Sequence, residues 1–517
     1  MGRRGAVATS HPLAAQVGLR ILQDGGNAVD AAVATAAALT VLEPTSNGIG
    51  GDAFALVWDG RRLHGLNASG RAPQALTPEV FFERGLDRVP TDGWLPVTVP
   101  GAVSAWAELA RRFGSMPLKD LVEPAARYAE EGHPVPPVIA RSWRAAAQRF
   151  GHRDDFRQTF LPWGRPPKAG ELCAGPDPAR TLRLIGESDG EAFYRGELAR
   201  AIARYAAQTG GYITEEDLAA HRPEWVEPIS TSYRGFQVWE IPPNGQGLAA
   251  LLALNILEGT DVASLPHLSA KQLHLVAEAL KLAFADAHRY IADPARSPVP
   301  TRELLDKGYA ARRRALIAGG RALAEPQPGL PRAGDTVYLC AADSEGRMVS
   351  YIQSNYMGFG SGVVVPGTGI ALHNRGAGFT LEEGHPNRVA PGQRPYHTII
   401  PGFLSKNGVP LAAFGVMGGD MQPQGHVQVV TGIIDYGLNP QAALDAPRIR
   451  VAGARDVHLE SSISKDTARQ LADWGHQVHM EFEDEMFGGG QIIWRDPDTG
   501  VFIAGSEPRK DGSAAAW

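Results

Sequence analysis

A chain of 517 residues, 44% hydrophobic and 21% charged, is long enough to bury a large core and suggests about three domains by length alone. Its formal net charge of -6 argues against nucleic acid as the main partner, for which a basic face would be expected. Two cysteines, Cys173 and Cys340, are too few for a disulfide framework or a metal cluster, and Cys340 reads as a small buried hydrophobe.

The opening MGRRGAVATSHPLAAQ carries two arginines with no apolar stretch behind them long enough for an export signal. No apolar run reaches membrane-spanning length, so the expectation is a cytoplasmic protein without a membrane partner. The first fifty residues are helical in pattern. Leu13, Val17, Ile21 and Leu22 recur near the helical period until Gly25-Gly26-Asn27 stops them. Residues 28–42 are apolar almost throughout and predict a buried helix. The glycine-rich SNGIGGD at 46–52 runs into the apolar strand candidate 53–58, with Asp59-Gly60 as a turn. A phosphate cradle would lead into a helix, so a phosphate site is discounted here.

Residues 102–113, 121–131 and 269–291 predict amphipathic helices, and 235–241 a strand. The texture changes at residue 318. AGGRALAEPQPGLPRAG, within 318–335, reads as an exposed flexible linker. The chain beyond it is β-rich: a strand at 336–342, a turn at 343–346, a return strand at 347–354, and strands at 399–404 and 412–416. Helices are predicted at 425–435 and 467–474. There is no internal repeat.

Asp335-Thr336 stands where the linker meets the first of these strands. A threonine hydroxyl is a poor nucleophile until a base takes its proton. If the bond before Thr336 is cut, the new α-amine lies within reach of its own hydroxyl, and its reference pKa of about 7.7–8.0 suits it to act as base. Taken alone, Asp-Thr before a strand is a commonplace loop end.

Three long, well-separated stretches decide between those readings. HPLAAQVGLRILQDGGNAVDAAVATAAALTVLEPTSNGIGGDAFALV, GDTVYLCAADSEGRMVSYIQSN and GVMGGDMQPQGHVQVVTGIIDYGLNPQAALDAPR resemble the gamma-glutamyltransferase family of N-terminal-nucleophile hydrolases, a likeness spanning residues 6 to 505. The resemblance implies an α+β fold, a four-layer αββα sandwich formed jointly by two subunits. These would be residues 1–335 and 336–517, cut from one precursor at Asp335-Thr336 and paired without a disulfide. It implies Thr336 as nucleophile, Ser354 as a second hydroxyl touching it in place of the family's Thr, and Gly418-Gly419 as the oxyanion-stabilising pair. Without the resemblance, Ser354 reads as a strand-end hydroxyl and the glycine pair as a turn.

The glutamate-reading residues of the family are not matched. Ser69 stands at the expected Arg, with Arg71 two residues later; Arg375 stands at the Gln/Glu position, Gly378 at the Asp, and His397-Thr398 at the Ser pair. Loss of the carboxylate and arrival of a guanidinium favour an acid over an ammonium. A dicarboxylic monoacyl amide, such as a glutaryl amide, therefore fits Arg375 and Arg71 better on charge. A structural or surface ion pair is the plain alternative for Arg375. Asn67, Asn244 and Gln246 are candidates to line the pocket, and Asp420 and Gln422 to touch the acyl group. His426 reads as a helix residue rather than a base. His373, His385 and His397 lack a metal-binding spacing, and no cofactor is implied.

The leading expectation is a self-processing amidase that hydrolyses gamma-glutamyl or related acyl amides through a threonyl acyl-enzyme, with transfer to amino-acid acceptors as a further outcome. A glutaryl-amide acylase is the alternative, and an inactive small-acid-binding homologue the next. A separate Ser-His-Asp hydrolase lacks any G-x-S-x-G elbow. Partners are a small amide substrate and the two subunits themselves.

Overall fold

The structure is a computed structural model that describes residues 1–324, 335–483 and 485–517, with only the backbone of Asp335. Its centre is a pair of antiparallel sheets. The first is built from β1 (Gly5–Thr9), β2 (Asp52–Trp58), β3 (Leu63–Asn67) and β4 (Glu224–Val226), followed later in the chain by β7 (Asp335–Asp343), β8 (Met348–Tyr356) and β13 (Ser513–Ala516). Their order across the sheet is β13-β1-β7-β8-β2-β3-β4. The second contains β5 (Ile229–Tyr233), β6 (Phe236–Glu240), β9 (Gly402–Lys406), β10 (Val409–Met417), β11 (Gly489–Arg495) and β12 (Phe502–Ser506), in the order β12-β11-β10-β9-β6-β5.

Side chains alternate across a strand, so each sheet has two faces to cover. In β7, Val337, Leu339 and Ala341 join a core with the helices α1 (Pro12–Gln23) and α2 (Ala28–Leu42). Tyr338, Cys340 and Ala342 point the other way and pack with Phe403, Ala413 and Ile493 of the second sheet. The outer face of that second sheet, with Val238, Leu404 and Phe414, packs on the helices α3 (Gly247–Glu258), α4 (Ala270–Tyr290) and α5 (Met421–Ile434). All 15 residues of α2 are buried, as a helix apolar almost throughout requires. Its start is fixed by a capping box in which Asn27 accepts from the N–H of Asp30 while the Asp30 carboxylate accepts from that of Asn27. Both cysteines are buried and unbridged, Cys340 inside the inter-sheet core. No helix among the described residues is long and apolar enough to cross a membrane.

Several expectations need correction. The first fifty residues are not helical throughout, because Gly5–Thr9 form β1, inserted between β13 and β7. Their alternation is hidden because both faces of that strand are buried. The helix expected at 425–435 begins four residues earlier, at Met421, directly behind the glycine pair. The strand expected at 399–404 is Gly402–Lys406. The first residues of the expected linker are anchored rather than free. Ala322 N–H donates to the Trp474 carbonyl at 2.7 Å and Leu323 N–H to Glu278 Oε2 at 3.1 Å. Residues 325–334 of that linker lie outside the described residues.

Candidate active site

Thr336 is the second residue of β7, and its parity with Tyr338 aims its side chain into the layer between the sheets. The antiparallel register sets Val337 opposite Gln353, which places Thr336 beside Ser354 on β8. Their hydroxyl oxygens lie 3.1 Å apart, both buried. Gln422 Nε2, from the first turn of α5, donates to Thr336 Oγ1 at 3.4 Å, and its own Oε1 accepts from Ile400 N–H at 2.9 Å. Ser354 Oγ accepts from Tyr356 N–H at 2.7 Å, across an irregularity in the ladder between Gln353 and Tyr356. Tyr356 takes φ +77, a conformation costly for a bulky side chain. The bend lays its ring against the Arg375 guanidinium, whose carbon sits 4.0 Å from the ring centroid.

Arg375 is fully buried, which removes the surface ion-pair reading. Nη1 donates to Thr398 Oγ1 at 2.7 Å, whereas Nε and Nη2 have no hydrogen-bond partner among the described residues. Burial pulls its pKa down to about 10, so it stays charged at neutral pH. The opposing carboxylates are Asp52, which opens β2 opposite Ser354, and Asp420. Burial would push the Asp52 carboxyl up. The neighbouring His373, the hydrogen bond from His397 and the Arg375 charge outweigh it and hold the group well below the usual carboxylate range. His397 is pushed down to about 3 by burial and by Arg375, hence neutral. It donates through Nε2 to Asp52 Oδ2 at 3.1 Å, and Nδ1 faces Ile399 N–H at 3.4 Å. Asp52 Oδ1 accepts from the N–H groups of Gly70 at 3.2 Å and Gly101 at 3.0 Å. His397 is therefore a structural partner of Asp52, while Thr398 is the residue beside the cation.

Gly418 and Gly419 take φ +126 and +60, where a side chain would be strained. A Cβ on Gly418 would also come within 3.0 Å of Gly488 Cα. Their carbonyls turn into α5, accepting from Met421 N–H at 3.0 Å and Gln422 N–H at 3.1 Å. Tyr356, Gly378, Thr398 and Asp420 share the wall of a cavity of about 950 Å³.

Other expected residues lie elsewhere. Arg71 is committed to ion pairs with Asp293 at 2.8 Å and Glu224 at 3.1 Å. Neither it nor Arg375 lines this cavity, but Arg375 lies directly behind two residues that do, Tyr356 and Thr398. Asn67, Asn244 and Gln246 are buried braces rather than lining. Gln246 Nε2 donates to the carbonyls of Thr398 at 2.6 Å and Gly419 at 2.9 Å, tying two segments of the site together. Asn67 Nδ2 donates to Asn244 Oδ1 at 2.8 Å, and Ser69 at the expected Arg position joins them through Asn67. His426 lies on α5 and pairs with Glu240 at 2.6 Å. Sequence reasoning missed Asp52 and Tyr356. An acid opening an otherwise apolar strand was a usable signal for Asp52; none existed for Tyr356.

Two other clusters do not compete. Ser104 Oγ lies 2.9 Å from His221 Nε2 beside a cavity of about 390 Å³, but burial pushes His221 down to about 3, too weak for a general base. His274, Glu278 and His476 bring potential ligand atoms within 4.8 Å of one another. The Glu278 carboxylate is already held by Lys281 Nζ at 2.6 Å, and His274 Nδ1 faces His476 Nε2 at 2.8 Å.

Facing sheets with helices outside them hold a strand-head threonine beside a second hydroxyl, and comparison with known proteins gives the class of the chain. The sequence profile of the gamma-glutamyltranspeptidase family matches residues 14–517. The crystal structure of cephalosporin acylase from Bacillus halodurans is 55% identical, with a TM-score of 0.95 over 100% of this chain and 96% of that one. The glutathione hydrolase-like YwrD proenzyme of Bacillus subtilis is 37% identical over 99% of this chain and 98% of its own length. The acylase ACY 1 proenzyme of Pseudomonas sp. (strain SE83) is 37% identical over 100% and 94%. The chain belongs to the gamma-glutamyltranspeptidase family.

Proposed function

We propose that the chain is a precursor that cuts itself between Asp335 and Thr336 and then cleaves acyl amides through a Thr336 acyl-enzyme. The observation that carries this reading is the 3.1 Å contact between Thr336 Oγ1 and Ser354 Oγ at the head of β7. Once freed, the α-amine of Thr336, with a reference pKa of about 7.7–8.0, takes the proton from its own hydroxyl. Oγ1 attacks the amide carbon. The resulting oxyanion is stabilised by the Gly418–Gly419 backbone, and the leaving amine takes the proton from the ammonium. Water, or an amine in the transfer reaction, then releases the acyl group by the same relay. Ser354 and Gln422 hold Oγ1 in place. The two products of the cut stay together as the four-layer sandwich, because β7, β8 and β13 of the smaller part alternate with β1 and β2 of the larger within one sheet.

Gamma-glutamyl amides are the family's substrates by name. A specific observation favours a second class, dicarboxylic monoacyl amides of the glutaryl type. Arg375 is a buried cation with two N–H-bearing nitrogens lacking partners, and a buried polar group without a partner is costly until it finds one. A distal carboxylate would supply it, and the 55% identity to a cephalosporin acylase supports an acylase reading. On a denaturing gel the wild type is expected as two bands, the smaller starting at Thr336. Parallel gamma-glutamyl and glutaryl anilides then separate the substrate classes. A single full-length band from protein that nonetheless turns over substrate would sink the mechanism. A single band with no turnover would favour a binding homologue.

A further inference from the structure

We propose that a cavity separate from the reaction centre is a binding site for a small neutral aromatic alcohol, with the ring held by Trp143 and Phe160 and the hydroxyl by His133. The cavity measures about 300 Å³, room enough for such a ligand, and shares no lining residue with the 950 Å³ cavity. His133 lies on its wall and is 2% exposed. A two-residue ladder with the strand of Cys173 fixes the backbone there. Neither ring nitrogen has a hydrogen-bond partner among the described residues. The Tyr128 carbonyl acts on the ring without meeting hydrogen-bond geometry, and it already accepts from Gly132 N–H at 3.1 Å. His11, also buried, adds to the imbalance. Its Nδ1 accepts from Leu13 N–H at 3.1 Å, while its Nε2 has no partner among the described residues. Buried polar atoms left in this way are costly, so a molecule that satisfies them is favoured.

Charge and hydrogen bonding select the ligand class. Burial pulls His133 down to about 4, and burial together with His133 pulls His11 down to about 3, so both rings are neutral at pH 7. Among the described residues on the wall, only Asp177 carries a charge, so an anion would find no cation there. A neutral imidazole presents one N–H and one lone pair. A carboxylate only accepts and an ammonium only donates, so either leaves half of the ring unmatched. A hydroxyl does both. The rest of the wall suits a flat apolar body. Trp143 and Phe160 meet edge-on at 69° with centroids 6.2 Å apart, and Val41, Ile49 and Pro178 stand around them. The Trp143 indole and the Thr40 hydroxyl already donate to the carbonyls of Phe160 at 2.9 Å and Ala37 at 2.7 Å, which leaves His133 as the buried handle. Burial pushes the Cys173 thiol on the same wall up to about 11, so this is a site of binding rather than of reaction.

The test titrates full-length wild type, His133→Phe and His133→Gln with 4-fluorophenol, fluorobenzene and 4-fluorobenzoate, followed by fluorine NMR. The readout is the ratio of dissociation constants for each pair of probes, so a general change in the cavity cancels between proteins. In wild type, 4-fluorophenol is expected to bind about fivefold more tightly than fluorobenzene, with 4-fluorobenzoate the weakest of the three. That preference should vanish in His133→Phe and survive in part in His133→Gln, which keeps a donor and an acceptor. Equal affinities in wild type, tighter binding of the benzoate, or a preference unchanged in His133→Phe overturns the inference. Should His133→Phe fail to fold, wild-type crystals soaked in 4-bromophenol decide the matter. Anomalous bromine signal against Trp143 and Phe160 supports the site, and signal elsewhere or none overturns it.

Discussion

The strand pair that carries Thr336 and the loops that surround Arg375 follow different rules. Around Thr336, contacts are set by backbone register: one ladder fixes Ser354, and one helix start fixes Gln422. Around Arg375, the ladder supplies Tyr356 and Asp52 from the ends of β8 and β2, but Arg375 and Thr398 themselves lie outside the two sheets, on segments that come to rest separately. Arg71 and Arg375 looked equivalent as cations, yet one ends in an ion pair with Asp293 and the other is sealed beneath Tyr356. On the proposed function, the group that breaks the bond and the group that reads the substrate can change independently, in keeping with relatives named both hydrolase and acylase.

The largest expected effect falls on the first region. Thr336→Ala removes the nucleophile, so activity should drop at least about a thousandfold and the precursor should stay a single band. Ser354→Ala removes only a positioning contact, and a loss of about 10–100-fold with processing retained is expected. If both variants lost activity equally, the assignment of roles within the hairpin would be wrong.

The frame under that hairpin has a titratable weak point. Glu43 follows α2 and is buried. Its Oε2 accepts from Ser10 Oγ at 2.5 Å, and its carbonyl accepts from Asn47 Nδ2 at 2.8 Å. Asn47 in turn takes the Gln353 amide of β8 at 2.6 Å. Burial pushes the Glu43 carboxyl from 4.5 up to about 7. A raised acid stabilises the fold fully below pH 4.5, and that contribution is lost as pH climbs through 7. The rise corresponds to about 3 kcal/mol at high pH. Glu43→Gln keeps the neutral shape. Its melting temperature should match wild type near pH 5 and exceed it by several degrees at pH 8. A gap independent of pH would show that Glu43 is not the group that titrates.

Much of the first region was legible because it is local. Two strand-like runs at 336–342 and 347–354 with a turn between them give a hairpin, and a hairpin fixes which residues face each other. The small apolar run 28–42 gave the covering helix directly. The edge and interleaved strands were not legible. Gly5–Thr9 and Ser513–Ala516 are short and small-sided, and they become strands only because they find each other and β7 from opposite ends of the chain. The site failed in the same way. Asn244 and Gln246 looked like pocket residues because loops expose polar groups, but the fold buries them as braces, Asn244 on the Pro395 carbonyl and Gln246 on those of Thr398 and Gly419. Long-range docking of loops leaves no periodic trace in sequence.

The second region is probed by Arg375→Met, which keeps bulk and removes charge. A charged hydrogen bond is worth about 1.5–3 kcal/mol, so kcat/KM for a glutaryl anilide should fall about 10–100-fold, mostly through KM. A gamma-glutamyl or simple acyl anilide should lose less. Processing checked on the same gel guards against a folding defect. Equal losses on all acyl groups would return Arg375 to a structural role beside Tyr356.

Arg71→Gln gives the smallest effect and the sharpest separation of the two arginines. Its partner Asp293 is 1% exposed and also accepts from the N–H groups of Arg394 at 3.0 Å and Ala295 at 3.1 Å, so it keeps backbone donors when the guanidinium goes. Arg71 itself is 34% exposed, and its second partner Glu224 is 49% exposed, which screens both pairs. The loss of stability should be only about 1 kcal/mol, read as a fall of a degree or two in melting temperature. The ratio of glutaryl to gamma-glutamyl turnover should stay at its wild-type value. A change in that ratio comparable to the one produced by Arg375→Met would place Arg71 against the substrate, and the contrast between the register-built hairpin and the surroundings of Arg375 would have to be redrawn.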